Sequence, residues 1–171
     1  MAARLRPVEL SLAALVVVLD QAVKALVRAE LLLFESREVI PGFFDLTRNH
    51  NTGTAFGLFN SVDFPGKTLL LIAVAGTALA GLAWYTATLP LDQRLSRLGL
   101  ALVLGGAVGN LIDRAWLGFV VDFFDFYWRA WHFWAFNVAD AAISMGVGLM
   151  ILEMLLPQHP AIQGRAERRA P

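Results

Sequence analysis

The chain has 171 residues, 57% hydrophobic and 16% charged, and its 14 basic and 14 acidic side chains cancel to a formal net charge of zero. That balance leaves no basic footprint for nucleic acid, and the apolar fraction is too high for an ordinary soluble domain of this length. With no cysteine, disulfides, thiolate nucleophiles and cysteine metal sites are excluded, and His50, His132 and His159 lack ligand spacing, so neither a metal nor a cofactor is expected.

A bilayer-spanning helix needs about 20 predominantly apolar residues. The first such window covers 8–27, behind Arg4 and Arg6. It begins like a secretory signal, but the run continues through Asp20, Gln21 and Lys24 without a small-residue cleavage site, so it reads as an uncleaved span. Asp20 and Lys24 share one helical face at the spacing of an intrahelical ion pair, which makes both charges tolerable near lipid. In the loop 29–67 that follows, Val39, Ile40, a Pro41-Gly42 turn and residues 43–47 predict a short hairpin on the membrane surface.

The second span, 68–85, carries no charged residue and reads as packing or lipid-facing scaffold. In the third, 95–113, Gly105 and Gly109 have the spacing that permits close helix contact. No Gly-Lys-Ser/Thr follows them, which argues against a phosphate-binding loop. Asn110, Asp113 and Arg114 close this span. The segment 114–137 holds Trp116, Trp128, Trp131 and Trp134, four of the five tryptophans, and reads as an aromatic anchor at the interface. Asn137 and Asp140 open the fourth span, 138–156; Glu153 lies near its other end, positioned to snorkel. The tail, 157–171, carries Pro157, Pro160 and Gly164 and reads as a disordered end.

The expected fold is therefore an all-α membrane protein of four transmembrane helices, with a small extramembrane β element and an aromatic-rich interfacial segment on the outer side. It forms one integral membrane unit, 1–171. Four spans put both termini on one side. Arg4, Arg6, Arg94, Arg97, Arg165, Arg168 and Arg169 would share that side, which the positive-inside rule makes cytoplasmic, and they read as topology markers.

On this topology the polar residues gather toward the outer side. Asp20 lies roughly 18 Å into the first helix at 1.5 Å per residue. Asn110, Asp113, Arg114, Asn137 and Asp140 lie where the third span ends and the fourth begins, and Asp122 lies between them. Asp113 adjoins Arg114, and Asp125 stands four before Arg129, so each has a sequence-near cation. Asp122 and Asp140 have none, which makes them the better pair for shared-proton chemistry. The serines, Ser11, Ser36, Ser61, Ser96 and Ser144, have no motif linking them to a histidine base. Two rival readings are a small ion-coupled transporter or channel using intramembrane carboxylates, and a noncatalytic helix scaffold.

Taken in order, DQAVK at 20–24, NTGTAFG at 51–57, GGAVGNLIDR at 105–114, VVDF at 120–123 and FNVAD at 136–140 resemble the lipoprotein signal peptidases, or signal peptidase II, of bacterial inner membranes. With the four spans, these motifs cover nearly the whole chain. Thr54 departs from the pattern, where a smaller alanine is expected.

The resemblance implies an aspartic endopeptidase with Asp122 and Asp140 as catalytic dyad. Asn51, Asn110, Arg114 and Asn137 would support substrate or dyad, and Asp20, Lys24 and Asp113 would hold the fold around the site. The implied substrate is a diacylglyceryl-modified prolipoprotein cut just before its lipidated cysteine. The implied setting is the inner membrane, among membrane lipids, with the site toward the periplasm and the protein a monomer.

Overall fold

A computed structural model of the chain describes residues 5–53 and 64–156. Thr54, the end of the NTGTAFG motif and the tail lie outside the described residues.

Four long helices form the body: α1 (Pro7–Glu30), α2 (Lys67–Thr88), α3 (Arg94–Leu117) and α4 (Val138–Leu155). Each is long and apolar enough to cross a membrane. The first three extend the expected spans by a few residues and α4 ends one residue short of its own, because capping residues and turn formers, not hydropathy, set helix ends. Pro7 opens α1, where its missing N–H costs nothing, and Glu9 accepts from the Arg6 backbone N–H at 2.8 Å.

α3 is the central helix, packing on α4, α1 and α2. Its approach to α4 depends on glycine: a Cβ on Gly146 would collide with the Gly99 carbonyl, and one on Gly99 would lie 2.5 Å from the Gly146 carbonyl oxygen. Gly105 and Gly109 make the close contact expected of them, and their partner is α1. A Cβ at Gly105 would meet Ala13 and Val16, and one at Gly109 would lie 2.6 Å from Asp20 Oδ2.

Four strands, β1 (Ser36–Ile40), β2 (Phe44–Asn51), β3 (Val120–Trp128) and β4 (Trp131–His132), form an antiparallel sheet in that order. β1 and β2 are the expected hairpin. β3 runs through the segment read as an aromatic anchor: VVDFFDFYW is β-branched and aromatic throughout, a composition that suits a pleated surface as well as an interface. Val121 and Phe123, fully buried, pack with Val27 and Leu31 and seat the sheet on the end of α1. Phe44 stacks on Phe126 at 4.7 Å between centroids, while Trp128, Trp131 and Trp134 remain exposed. A bulge interrupts the β2–β3 register between Leu46 and Asn49. Such an extra residue re-aims the side chains that follow it.

At the end away from the sheet, Arg97, read as a topology marker, also has a structural role. It is buried, donates from Nε to Glu9 Oε1 at 2.6 Å and from Nη2 to Oε2 at 2.8 Å, and reaches the Leu89 carbonyl from Nη1 at 2.8 Å. A bidentate guanidinium is well suited to such a buried site because its planar fork satisfies several acceptors at once. Glu153, half-buried near the end of α4, accepts from the Ser96 N–H at 2.7 Å and so caps the start of α3.

Candidate active site

The sequence of α1 supplies Asp20, Gln21 and Lys24 on neighbouring turns, and all three meet α3. Lys24 Nζ lies 2.8 Å from Asp20 Oδ2 and 3.0 Å from Asp113 Oδ2, with all three residues buried. The expected intrahelical pair is therefore one arm of a triad. Asp113 takes its cation from Lys24 and not from the adjacent Arg114, because neighbours in a helix point about 100° apart. Asp20 and Asp113 also serve the backbone: Asp20 Oδ1 accepts from the Ala139 N–H at 2.9 Å and Asp113 Oδ2 from the Val121 N–H at 3.1 Å. Thus one buried cluster ties α1 and α3 to the starts of α4 and β3. Gln21, which no charge pattern singled out, donates to Asp113 Oδ1 at 3.0 Å and to the Gly109 carbonyl at 3.1 Å.

Lys24 continues outward through an amide. Its Nζ donates to Asn110 Oδ1 at 2.9 Å, and Asn110 Nδ2 donates to Asp140 Oδ1 at 2.8 Å. Asp140 stands at the third position of α4, where it closes a capping box: the Asn137 N–H donates to Asp140 Oδ2 at 3.2 Å, and the Asp140 N–H donates to Asn137 Oδ1 at 3.0 Å. A capping box alone is an ordinary way to start a helix. Here Asn137 has a further bond, from Nδ2 to Asp122 Oδ1 at 2.7 Å. One asparagine therefore holds both carboxylates that lack a sequence-near cation.

Asp122 takes its second bond from Asn51 Nδ2 at 3.0 Å, and Asn51 Oδ1 accepts from the Gly53 N–H at 3.0 Å, which fixes the orientation of that amide. Arg114 Nη2 donates to the Gly53 carbonyl at 2.7 Å, so it holds the chain that presents Asn51. Each of the two carboxylates accepts hydrogen bonds from neutral amides, and neither makes a direct salt bridge with a described residue. Burial, and after it the Asp140 carboxylate, push the Asp122 carboxyl up to about 7 from its ordinary 3.8. Neutral donors lower a carboxylate pKa less than a touching cation would, and at Asp122 desolvation outweighs them.

Asp122 and Asp140 both line a cavity of about 710 Å³ whose other walls are largely apolar, from Leu71 and Leu79 on α2 to Ile143 and Met145 on α4. α2 is thus cavity wall as well as scaffold, a role its uncharged sequence did not signal. His50 stacks its ring on Phe119 at 3.7 Å between centroids and, with Asn49, Asn51 and Asp122, lines a second, smaller cavity of about 270 Å³. Asp125 pairs with His132, Nδ1 to Oδ2 at 2.9 Å, and not with Arg129: the four-residue spacing means a shared face only on a helix, and this segment is strand. Among the described residues, no group of three or more histidine, aspartate or glutamate side chains is arranged to hold a metal ion.

Four membrane-length helices, with a buried carboxylate, Asp122, and a half-buried one, Asp140, bridged by one asparagine at the wall of an apolar cavity, define a multi-pass membrane protein equipped for aspartic-type hydrolysis. The comparisons with known proteins name the group. Residues 12–156 match the signal peptidase (SPase) II family. A lipoprotein signal peptidase of Symbiobacterium thermophilum is 45% identical over 148 residues, 86% of this chain and 94% of that protein. One from Geobacter metallireducens is 46% identical over 138 residues, 81% of this chain and 84% of that protein. A solved structure described as a bacterial membrane enzyme by the in meso method at 1.9 Å resolution is 27% identical, with a TM-score of 0.80 over 92% of this chain and 98% of that one. A second such enzyme, at 2.3 Å resolution, is 29% identical with a TM-score of 0.78 over 91% and 92%. The chain belongs to the signal peptidase II family and is an aspartic-type lipoprotein signal peptidase, with prolipoproteins as the substrates that membership implies.

Proposed function

We propose that Asp122 and Asp140 are the catalytic dyad and that they cut diacylglyceryl-modified prolipoproteins just before the lipidated cysteine. The observation that carries this reading is the Asn137 bridge between the two carboxylates, each otherwise held by a neutral amide. Two such groups at one cavity do not both ionise cheaply, so the pair keeps one proton near neutral pH and titrates as a unit. The ionised member takes a proton from water, and that water attacks the scissile carbonyl. The protonated member hydrogen-bonds the carbonyl oxygen, and collapse of the tetrahedral intermediate returns a proton to the leaving amine. No covalent acyl-enzyme forms.

The supporting residues divide by what they touch. Asn51, Asn110 and Asn137 orient the carboxylates, and Arg114 steadies Asn51 through the Gly53 carbonyl. Asp20, Lys24 and Asp113 lock α1 and α3 beneath them. The apolar cavity suits acyl chains and a signal helix entering from the lipid, and a substrate anchored by both arrives already oriented, which contributes several kcal/mol to catalysis. We place the enzyme in the bacterial inner membrane as a monomer and a single integral unit, with both termini cytoplasmic and the sheet and dyad toward the periplasm.

The test is incubation of the purified protein with a lipidated prolipoprotein and with its unlipidated counterpart. Cleavage of the lipidated form alone is expected. Equal cleavage of both would remove the lipid anchor from recognition.

A further inference from the structure

The helical glycines fall into two groups. Gly99, Gly105, Gly109 and Gly146 are packed so closely that a Cβ would strike a neighbouring helix, whereas a Cβ at Gly76 or Gly81 of α2, or at Gly148 of α4, would meet nothing within 4 Å. Close helix contact therefore does not account for the glycines of α2. A glycine in a helix interior leaves the backbone freer than an alanine does.

α2 is also the least supported of the four helices. It packs on α3 and makes no comparable contact with α1 or α4 among the described residues. Its buried residues are Lys67 at one end and Thr86 near the other, with none between. At the end away from the sheet it is pinned: Arg97, held by Glu9 of α1, donates from Nη1 to the Thr86 carbonyl at 3.3 Å and to the Leu89 carbonyl at 2.8 Å. A stretch with so few buried contacts is the part of a fold that moves most readily.

That stretch is a wall of the large cavity. Leu71, Val74, Ala78 and Leu82 line it from α2, and Ile143 and Met145 line it from α4, so the cavity stands where those two helices do not pack together. A helix in lipid bends only where its backbone groups stay satisfied. Beside Gly76, Thr77 Oγ1 donates to the Ala73 carbonyl at 2.8 Å, so that carbonyl keeps a donor when its backbone hydrogen bond lengthens.

We propose that α2 is a flexible side wall that bows at Gly76 and Gly81, between its two buried ends, and so widens the gap to α4 through which the lipid-anchored precursor reaches the dyad from the bilayer. The proposal rests on the cleavage reading above. A precursor anchored by a signal helix and acyl chains stays in the bilayer, so its way in is lateral, and α2 is the wall with the least to hold it closed.

The experiment stiffens α2 without filling occupied space. The double variant Gly76→Ala with Gly81→Ala is expected to unfold thermally at or above the wild-type temperature, because neither methyl meets a neighbour, while kcat/KM on a lipidated precursor falls about fivefold or more. Gly148→Ala, the same change in open space on α4, is expected to keep wild-type kcat/KM. The cysteine-free chain allows spin labels at Ala80→Cys on α2 and Val147→Cys on α4, both exposed, and the distribution of distances between them is expected to narrow in the double variant. Wild-type kcat/KM in the double variant, an unchanged distance distribution, an equal loss in Gly148→Ala, or a double variant less stable than wild type overturns the proposal while the peptidase reading stands. Failure of the wild type to cut any lipidated precursor overturns both.

Discussion

Lys24 bridges two buried carboxylates and steers a third through Asn110, so its charge is the hinge of the polar interior. Replacing one partner of a buried ionic cluster leaves the others uncompensated, typically at a cost of about 3–5 kcal/mol. Lys24→Met is therefore expected to lower stability by that order, measured by denaturant unfolding in detergent, with activity falling as the Asn110 amide loses its anchor. Asp122 behaves differently because its carboxyl is pushed up to about 7 by burial and then by Asp140. The folded state holds this proton more tightly than the unfolded chain, so raising the pH from 4 through 7 removes stability. In Asp122→Asn this carboxyl is gone and its share of the titration with it. The stability of that variant relative to wild type is expected to rise across that window, by up to the order of 4 kcal/mol, and to level off above it, as unfolding curves at pH 4, 6 and 8 would record. The sequence exposes Asp122 and Asp140 because carboxylates without a near cation stand out in an apolar chain. It does not expose Asn137 as their common partner, nor Lys24 as the partner of Asp113, since both follow from helix faces brought together by packing.

At the scale of elements, the helices were legible because length and hydropathy define them independently of their neighbours. The Pro41-Gly42 hairpin was legible from turn chemistry. β3 was not: its aromatic run is equally compatible with an interfacial belt, and its pairing with β2 joins segments some 70 residues apart, which no local pattern encodes. The glycine contact between α3 and α4 carries its own consequence. Gly146→Leu sets a side chain against the Gly99 carbonyl, so α4 must shift, and α4 carries Asp140. Overpacking of this kind costs about 1–3 kcal/mol. The variant is expected to lose that much stability and a larger share of its activity, read by thermal unfolding alongside a cleavage assay. Unchanged cleavage would mean that the site tolerates displacement of α4.

For the whole molecule, the sheet, the dyad and both cavities lie together at one end of the helical body, and the Glu9–Arg97 pair lies at the other. The absence of native cysteine gives a clean background for mapping this asymmetry. Arg37→Cys, on β1, is expected to react with an impermeant maleimide added to the periplasmic side, whereas Leu91→Cys, between α2 and α3, reacts only after the membrane is opened. The reverse pattern would invert the proposed topology.

The most direct measurement of shared-proton catalysis is the pH dependence of kcat/KM on a lipidated precursor for wild type, Asp122→Asn and Asp140→Asn, with unfolding curves confirming that each protein is folded. Wild type is expected to lose activity above a limb near pH 7, where the pair gives up the proton it shares, and each variant to fall by roughly a thousandfold or more at every pH. Substantial cleavage by either folded variant, or a wild-type rate that stays flat well above pH 7, would contradict it.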